Sequence, residues 1–159
     1  MAMGRYWQKR GHQGFTLIEL LITIAVLGVL ASVAMPLVEA TVKRTKELEL
    51  RRSLRQIREG VDRFKIEYDK ARQNAKDAKE IFKKKVSADR SGYPRNLEEL
   101  VETKVLRRIP KDPMTKDGEW VTRSYSDSLD ATLTDGRDVF DIRSPSTETA
   151  LDGSTYDTW

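Results

Sequence analysis

Hydrophobic positions are gathered in one place. From Phe15 to Val38 the only ionisable side chain is Glu19, and a charge-dense segment, Glu39 to Arg90, follows. About 20 apolar residues suffice for a helix to cross a bilayer core of about 30 Å, so the block predicts a membrane span. Farther on, Leu50, Leu54, Ile57, Val61, Phe64 and Tyr68 recur at alternating steps of four and three. That period sets all six on one stripe of a helix, with Arg51, Arg52, Arg55, Arg58, Glu59 and Asp62 on the solvated side. The stripe predicts the wall on which a small domain packs.

A weaker helical pattern, Ala71, Ala75, Ala78, Phe82 and Val86, runs through the polar segment that follows, which either extends the first helix or forms another. Ser91-Gly92-Tyr93-Pro94 breaks it. A short helix then fits Asn96 to Thr103, with Asn96 as N-cap and Glu98 and Glu99 in the first turn. The two prolines of Arg107 to Pro113 predict a loop. Trp120 to Tyr125 and Val139 to Arg143 read as strands, and Asp135-Gly136 between them suits a tight turn. No period is visible in the tail SPSTETALDGSTYDTW, although Tyr156 and Trp159 argue that it is anchored.

The net charge of +4 falls largely before the span, in Arg5, Lys9 and Arg10. Positive flanks resist translocation, so this end reads as cytoplasmic and the remainder as lying outside the cytoplasm. The near balance elsewhere gives little support to nucleic-acid binding. There is no cysteine, which removes disulfides, thiol catalysis and zinc–thiolate sites. His12 is the only histidine, so a Ser-His-Asp triad lacks its histidine in the later domain. Glu98 and Glu99 are adjacent on a helix read as exposed, and adjacent residues do not face each other. No Gly-rich phosphate loop is present. The sequence therefore reads as that of a non-enzyme.

An ordinary secretory signal is cut after its apolar region. Here Gly14 precedes it, so a cut between Gly14 and Phe15 leaves the apolar segment as the new N-terminus. Within the span, Gly28 and Pro36 stand out. Pro36 has no N–H and so weakens the helix around Ser32, a feature that packed neighbours can accommodate.

GFTLIELLITIAVLGVLASVAMP, Gly14 to Pro36, resembles the N-terminus of type IV pilins and type II secretion pseudopilins. GYPRNLEELV (92–101), RRIPKDPMT (107–115), Trp120, Arg123 to Tyr125 and ALDGSTYDTW (150–159) resemble the major pseudopilin of type II secretion. Lys70 to Ser91 is longer than in the usual pseudopilin. The resemblance implies an α+β, type IV pilin-like fold: a long N-terminal helix, membrane-spanning in its first half, packed against a small C-terminal domain with a short helix and an antiparallel β-sheet. The implied division is a leader at 1–14, a transmembrane and filament-core helix at 15–38, a helical extension at 39–90 and a globular domain at 91–159.

The implied function is that of a structural subunit of a pseudopilus, a periplasmic filament grown from the bacterial inner membrane to help export folded proteins. It carries with it cleavage after Gly14 by a prepilin peptidase and N-methylation of Phe15. The implied partners are further copies of the chain, minor pseudopilins and an inner-membrane platform driven by a cytoplasmic ATPase. A type IV pilin serving adhesion, twitching or DNA uptake is the nearest alternative, and a single-span anchor for a binding domain is another. The missing cysteine pair and the Tyr93-Pro94 and Pro110 to Pro113 motifs favour secretion.

Glu19 raises a physical question, since a carboxylate at the centre of a span costs about 2.5–3.5 kcal/mol. Cutting after Gly14 creates an amine four residues away, which could pair with Glu19 in the same helix or in a neighbour. The resemblance favours the neighbour, and snorkelling of Glu19 to water is the alternative. The resemblance also implies a calcium site in the tail, with Ser144, Thr147, Glu148, Asp152 and Ser154 as the candidates. Related tails carry Asp and Gly where this chain has Thr147 and Glu148. Ser, Thr and Asp also fill loops through local hydrogen bonding, so the tail has both readings.

Overall fold

The computed structural model describes residues 14–74, 76–128 and 134–159. The leader reading of 1–14, with Arg5, Lys9, Arg10 and His12, lies outside the described residues except for Gly14, as does Ala75. Element order is α1 (Leu17–Arg72), α2 (Glu80–Lys83), α3 (Glu98–Glu102), β1 (Val121–Arg123) and β2 (Asp141–Arg143), with a final 3-10 turn at Tyr156–Thr158. The chain divides into two compact units between Thr41 and Val42.

In the first unit, Thr16 opens α1: its Oγ1 accepts the Glu19 N–H at 3.3 Å, the contact an N-cap makes with the third helical residue. Apolar side chains then point in every direction, from Leu17 at 77% exposed to Val26 at 53%. A helix apolar all round requires an apolar surrounding, and this one is long and apolar enough to cross a membrane. Its hydroxyls are satisfied internally, Thr23 donating to the Leu20 carbonyl and Ser32 to that of Gly28, each at 2.8 Å. Pro36 lies inside the helix, which continues through it.

The second unit is built on the stripe. Leu50, Leu54, Ile57, Val61, Phe64 and Tyr68 are at most 3% exposed and join Phe82, Leu100, Leu106, Val139, Ile142 and Tyr156 in one core. Gly60 lets Leu106 close on the helix, for a Cβ there would lie 3.1 Å from the Leu106 side chain.

The expected helical extension over 39–90 holds only as far as Arg72. Asn74 has φ +53, the left-handed conformation that ends helices, and its N–H donates to the Ala71 carbonyl at 3.1 Å. The chain then folds back. Phe82, on the single turn of α2, meets Phe64 edge-on at 5.1 Å. The Tyr68 hydroxyl donates to the Ser87 carbonyl at 3.2 Å and accepts the Ser87 N–H at 3.1 Å. Val86 is left partly exposed.

Asn96 caps α3 as expected, its Oδ1 accepting the Glu99 N–H at 3.0 Å. Reading Glu98 and Glu99 as a jointly exposed pair is corrected. Glu99 is 5% exposed and is held by Arg90 at 2.7 Å, Lys85 at 2.9 Å and the Arg95 N–H at 2.7 Å. Two cations and a main-chain donor make burial of this carboxylate tolerable.

β1 and β2 pair antiparallel, Val121 opposite Arg143, Thr122 opposite Ile142 and Arg123 opposite Asp141. Both are shorter than their sequence patterns: the Phe140 N–H still donates to the Arg123 carbonyl at 2.8 Å, but those of Ser124 and Val139 leave the ladder. Ser124 donates to Asp127 Oδ2 at 2.8 Å, and Val139 donates to the Pro94 carbonyl at 2.7 Å. Asp138 fastens the neighbouring loops by accepting hydrogen bonds from Ser91, Ser124 and the Tyr125 N–H. Gly136, with φ +66, gives the turn its left-handed residue, and Asp135 Oδ1 accepts the Arg137 N–H at 3.1 Å. The architecture is α+β, a long helix apolar in its first part with a small domain and a two-stranded antiparallel sheet.

Glu99 makes the domain acid-sensitive. Burial alone would raise its pKa, but hydrogen bonds from Arg90, the Arg95 N–H and Lys85 outweigh that and hold it below the ordinary glutamate value of 4.5. A depressed folded pKa stabilises above the unfolded value, and that contribution drains away as pH falls through the folded one. Unfolding of the full chain in detergent micelles should therefore show stability falling below about pH 4.5. Glu99→Gln should flatten that fall and cost about 3 kcal/mol at neutral pH, by leaving Arg90 buried without its counter-charge.

Candidate functional site

Two places carry the candidate residues, the start of α1 and the tail. At the first, Phe15 is 83% exposed just outside the helix, and Glu19 lies exposed in its first turn. The unpaired N–H groups of a first turn give it partial positive charge, which favours a carboxylate there. Glu19 is thus at the end of the apolar segment rather than at its middle. An amine made at Phe15 would be added to that same positive end. Pro36, the other assembly candidate, falls well down α1, where it withholds an N–H from the Ser32 carbonyl.

The tail candidates separate. Ser144 is fully buried, where its hydroxyl donates to Asp112 Oδ2 at 2.6 Å while Asp112 Oδ1 accepts the Met114 N–H at 2.7 Å. Asp152 and Ser154 are brought together: Asp152 Oδ1 accepts both the Ser154 N–H at 3.0 Å and its hydroxyl at 2.6 Å. Asp152 Oδ2 faces Arg51 at 3.2 Å. Thr147 and Glu148 are exposed on the connecting loop.

Calcium requires several oxygens converging on one point, with carboxylates contributing the charge. Here the two carboxylates among the candidates stand apart in role, and the oxygen of Asp152 not used by Ser154 is covered by a guanidinium. Ser144 is spent on Asp112. Among the described residues no group of three or more acidic or histidine side chains could hold a metal. This donor set does not fit a calcium ion.

What holds the tail instead is a row of polar residues beside the stripe of α1, of which the sequence pattern assigned Arg51 and Arg58 to solvent. Lys43 Nζ donates to the Thr149 carbonyl at 2.6 Å. One turn on, Glu47 is 8% exposed, and its Oε1 accepts the Leu151 N–H at 2.7 Å and the Tyr156 hydroxyl at 3.0 Å. A further turn on, Arg51 pairs with Asp152 and lies 4.2 Å over the Trp159 ring. Arg58 donates to Asp141 at 2.8 Å, to the Ile142 carbonyl at 3.0 Å and to the main-chain oxygen of Trp159 at 2.8 Å.

The tail is shaped to receive that row. Ala150 and Ser154 close a turn, the Gly153 N–H donates to the Ala150 carbonyl at 3.1 Å, and Gly153 has φ +87. The Trp159 indole N–H donates to Ser154 Oγ at 2.7 Å, with Tyr156 edge-on to its ring at 5.2 Å. The spacing of Lys43, Glu47 and Arg51 by one helical turn was the available sequence signal, but nothing in it named the tail as the partner.

Burial, and then the Glu47 carboxylate, push the Tyr156 hydroxyl up to about 12 from 10.0. A raised folded pKa stabilises fully below the unfolded value and is lost as pH rises through the folded one, here between 10.0 and about 12. In an absorbance titration of the folded chain, Tyr156→Phe should remove a tyrosine that ionises near pH 12. The same substitution should lower stability at neutral pH by about 2 kcal/mol, the worth of a hydrogen bond to a charged group.

Residues 9–35 match the family described as Prokaryotic N-terminal methylation motif. Neither a curated protein nor a solved structure matches the chain. The motif covers the start of α1, with Gly14, Phe15 and Glu19 inside it, and the helix it opens is long and apolar enough to anchor the chain by one pass. With that motif at the head of a long apolar helix on an α+β architecture, the chain is similar at its N-terminus to type IV prepilin-like proteins.

Proposed function

We propose that the chain is the structural subunit of a type II secretion pseudopilus, cut after Gly14 by a prepilin peptidase and N-methylated on Phe15. The observation that carries this reading is the N-terminal methylation motif at 9–35 opening a helix whose apolar side chains are uncovered all round. Subunits wait in the inner membrane with the second unit in the periplasm. A platform driven by a cytoplasmic ATPase then transfers them into a filament of identical chains, capped by minor pseudopilins.

The physical steps follow from the residues. Moving α1 from lipid to a bundle of like helices exchanges one apolar surrounding for another, so no large hydrophobic cost opposes extraction. The energy comes from the ATPase, since the chain has no phosphate-binding loop. Cutting after Gly14 leaves a cationic amine next to a helix start that already favours negative charge. A neighbour's Glu19 then neutralises that amine, and both charges leave water together. Because the pairing fixes the axial position of one helix against the next, it works as the register of the polymer.

Mass spectrometry of the chain recovered from a host with the cognate machinery should find Phe15 as the N-terminus, carrying one methyl group. Filaments imaged in that host should be short and periplasmic. Fibres extending from the cell would make it a type IV pilin, and an uncut, unpolymerised chain would overturn both filament readings. Glu19→Ala should leave cutting intact and reduce filament yield by at least about tenfold, equivalent to ~1.4 kcal/mol per subunit. Normal assembly of that variant would refute the pairing.

A further inference from the structure

The disagreement between the tail's donor set and a calcium site has a positive side. We infer that the tail, Glu148 to Trp159, is a metal-independent latch, closed on α1 by Glu47 at its centre and by Arg51 and Arg58 on either side of Trp159. The region folds, and stays folded, without a divalent cation.

Charge and geometry carry this. Glu47 and Tyr156 are 8% and 1% exposed, and the carboxylate oxygen that takes the Tyr156 hydroxyl also takes the Leu151 N–H. A buried carboxylate with two donors needs no cation to satisfy it. Arg51 already supplies positive charge to Asp152, the one tail carboxylate that two tail donors also hold. A calcium ion at Asp152 would have to displace that guanidinium or lie beside it, against like charge. Arg58 ties the main-chain oxygen of Trp159 to the β2 residues Asp141 and Ile142, so the end of the latch and the sheet are held by one side chain. The half-buried indole has Arg51 over its ring at 4.2 Å and Tyr156 edge-on to it at 5.2 Å.

The latch can be tested on the full chain in detergent micelles, without filament assembly, so its outcome is separate from that of the pseudopilus reading. Thermal unfolding and limited proteolysis of the tail are followed with a chelator and with calcium at about 10 mM, above the ~0.1–1 mM affinities of extracellular calcium modules. The expected result is an unchanged Tm and an equally resistant tail in both. Calcium that raises Tm by several degrees, or a chelator that opens the tail to protease, overturns the inference. Glu47→Ala should lower Tm by roughly 5 °C or more. Glu47→Gln, which keeps an accepting oxygen for Leu151 and Tyr156, should restore most of that loss.

Should Glu47→Ala prevent folding, Arg51→Ala serves instead, because the Arg51 side chain is 56% exposed and outside the core. It should leave Tm nearly unchanged and speed cleavage of the tail several-fold. A tail in Arg51→Ala as resistant as in the parent chain removes Arg51 from the latch. If calcium then protects the Arg51→Ala tail, a cation is doing the work that the latch assigns to the side chain, and the inference fails.

Discussion

One helix has to satisfy two surroundings, and the second unit is arranged around that constraint. Along α1 the apolar surface first faces every direction and then narrows to a stripe ending at Tyr68. The apolar core of the globular part is built on that stripe. Most of the rest of the helix there is polar or charged, so the domain's remaining elements are short and close around one line of apolar contact. Five-residue α3 and three-residue strands are what such a line can organise. The lack of disulfides is met by polar ties at the rim of the core: Glu99 with its two cations, Asp138 with three donors, and Glu47 with Tyr156. Each joins segments distant in sequence, which apolar contact alone would leave free to slide.

These ties also explain which parts of the fold were legible in the sequence. The span, the stripe, the Asn96 cap and the approximate strands follow from local rules, in which period and capping chemistry act within a few residues. Strand lengths were overread because Ser124 and Val139 spend their N–H groups on Asp127 and Pro94, and nothing in a strand's own composition announces that. Glu99 was read as exposed for a similar reason. A carboxylate in the first turn of a short helix is ordinarily at the surface, and its burial depends on Arg90 and Lys85 arriving from a preceding segment.

The candidate site divides along the same line. Gly14, Phe15 and Glu19 stood out through their spacing, and the matching motif contains all three. The tail was legible only as anchored. Its Ser, Thr and Asp content suited a cation or hydrogen bonds equally, and the choice between them lay about a hundred residues upstream, in Glu47 and Arg51. Those two residues flank the apolar stripe, a position that in most helices faces water.

The return of the chain after Arg72 bears on how the second unit can change its outer surface. The segment leaving Asn74 is tied back to α1 through Phe82 and through Ser87 on Tyr68, and each tie is complete in itself. Before Phe82, Ala78 and Ile81 are the described residues of this segment that reach the core, and a left-handed Asn74 has already ended the helix before them. Length and charge can drift there while the stripe, the sheet and the tail stay in place. An epitope or a fluorescent label attached at the exposed Lys76 would ride on the domain without entering its core.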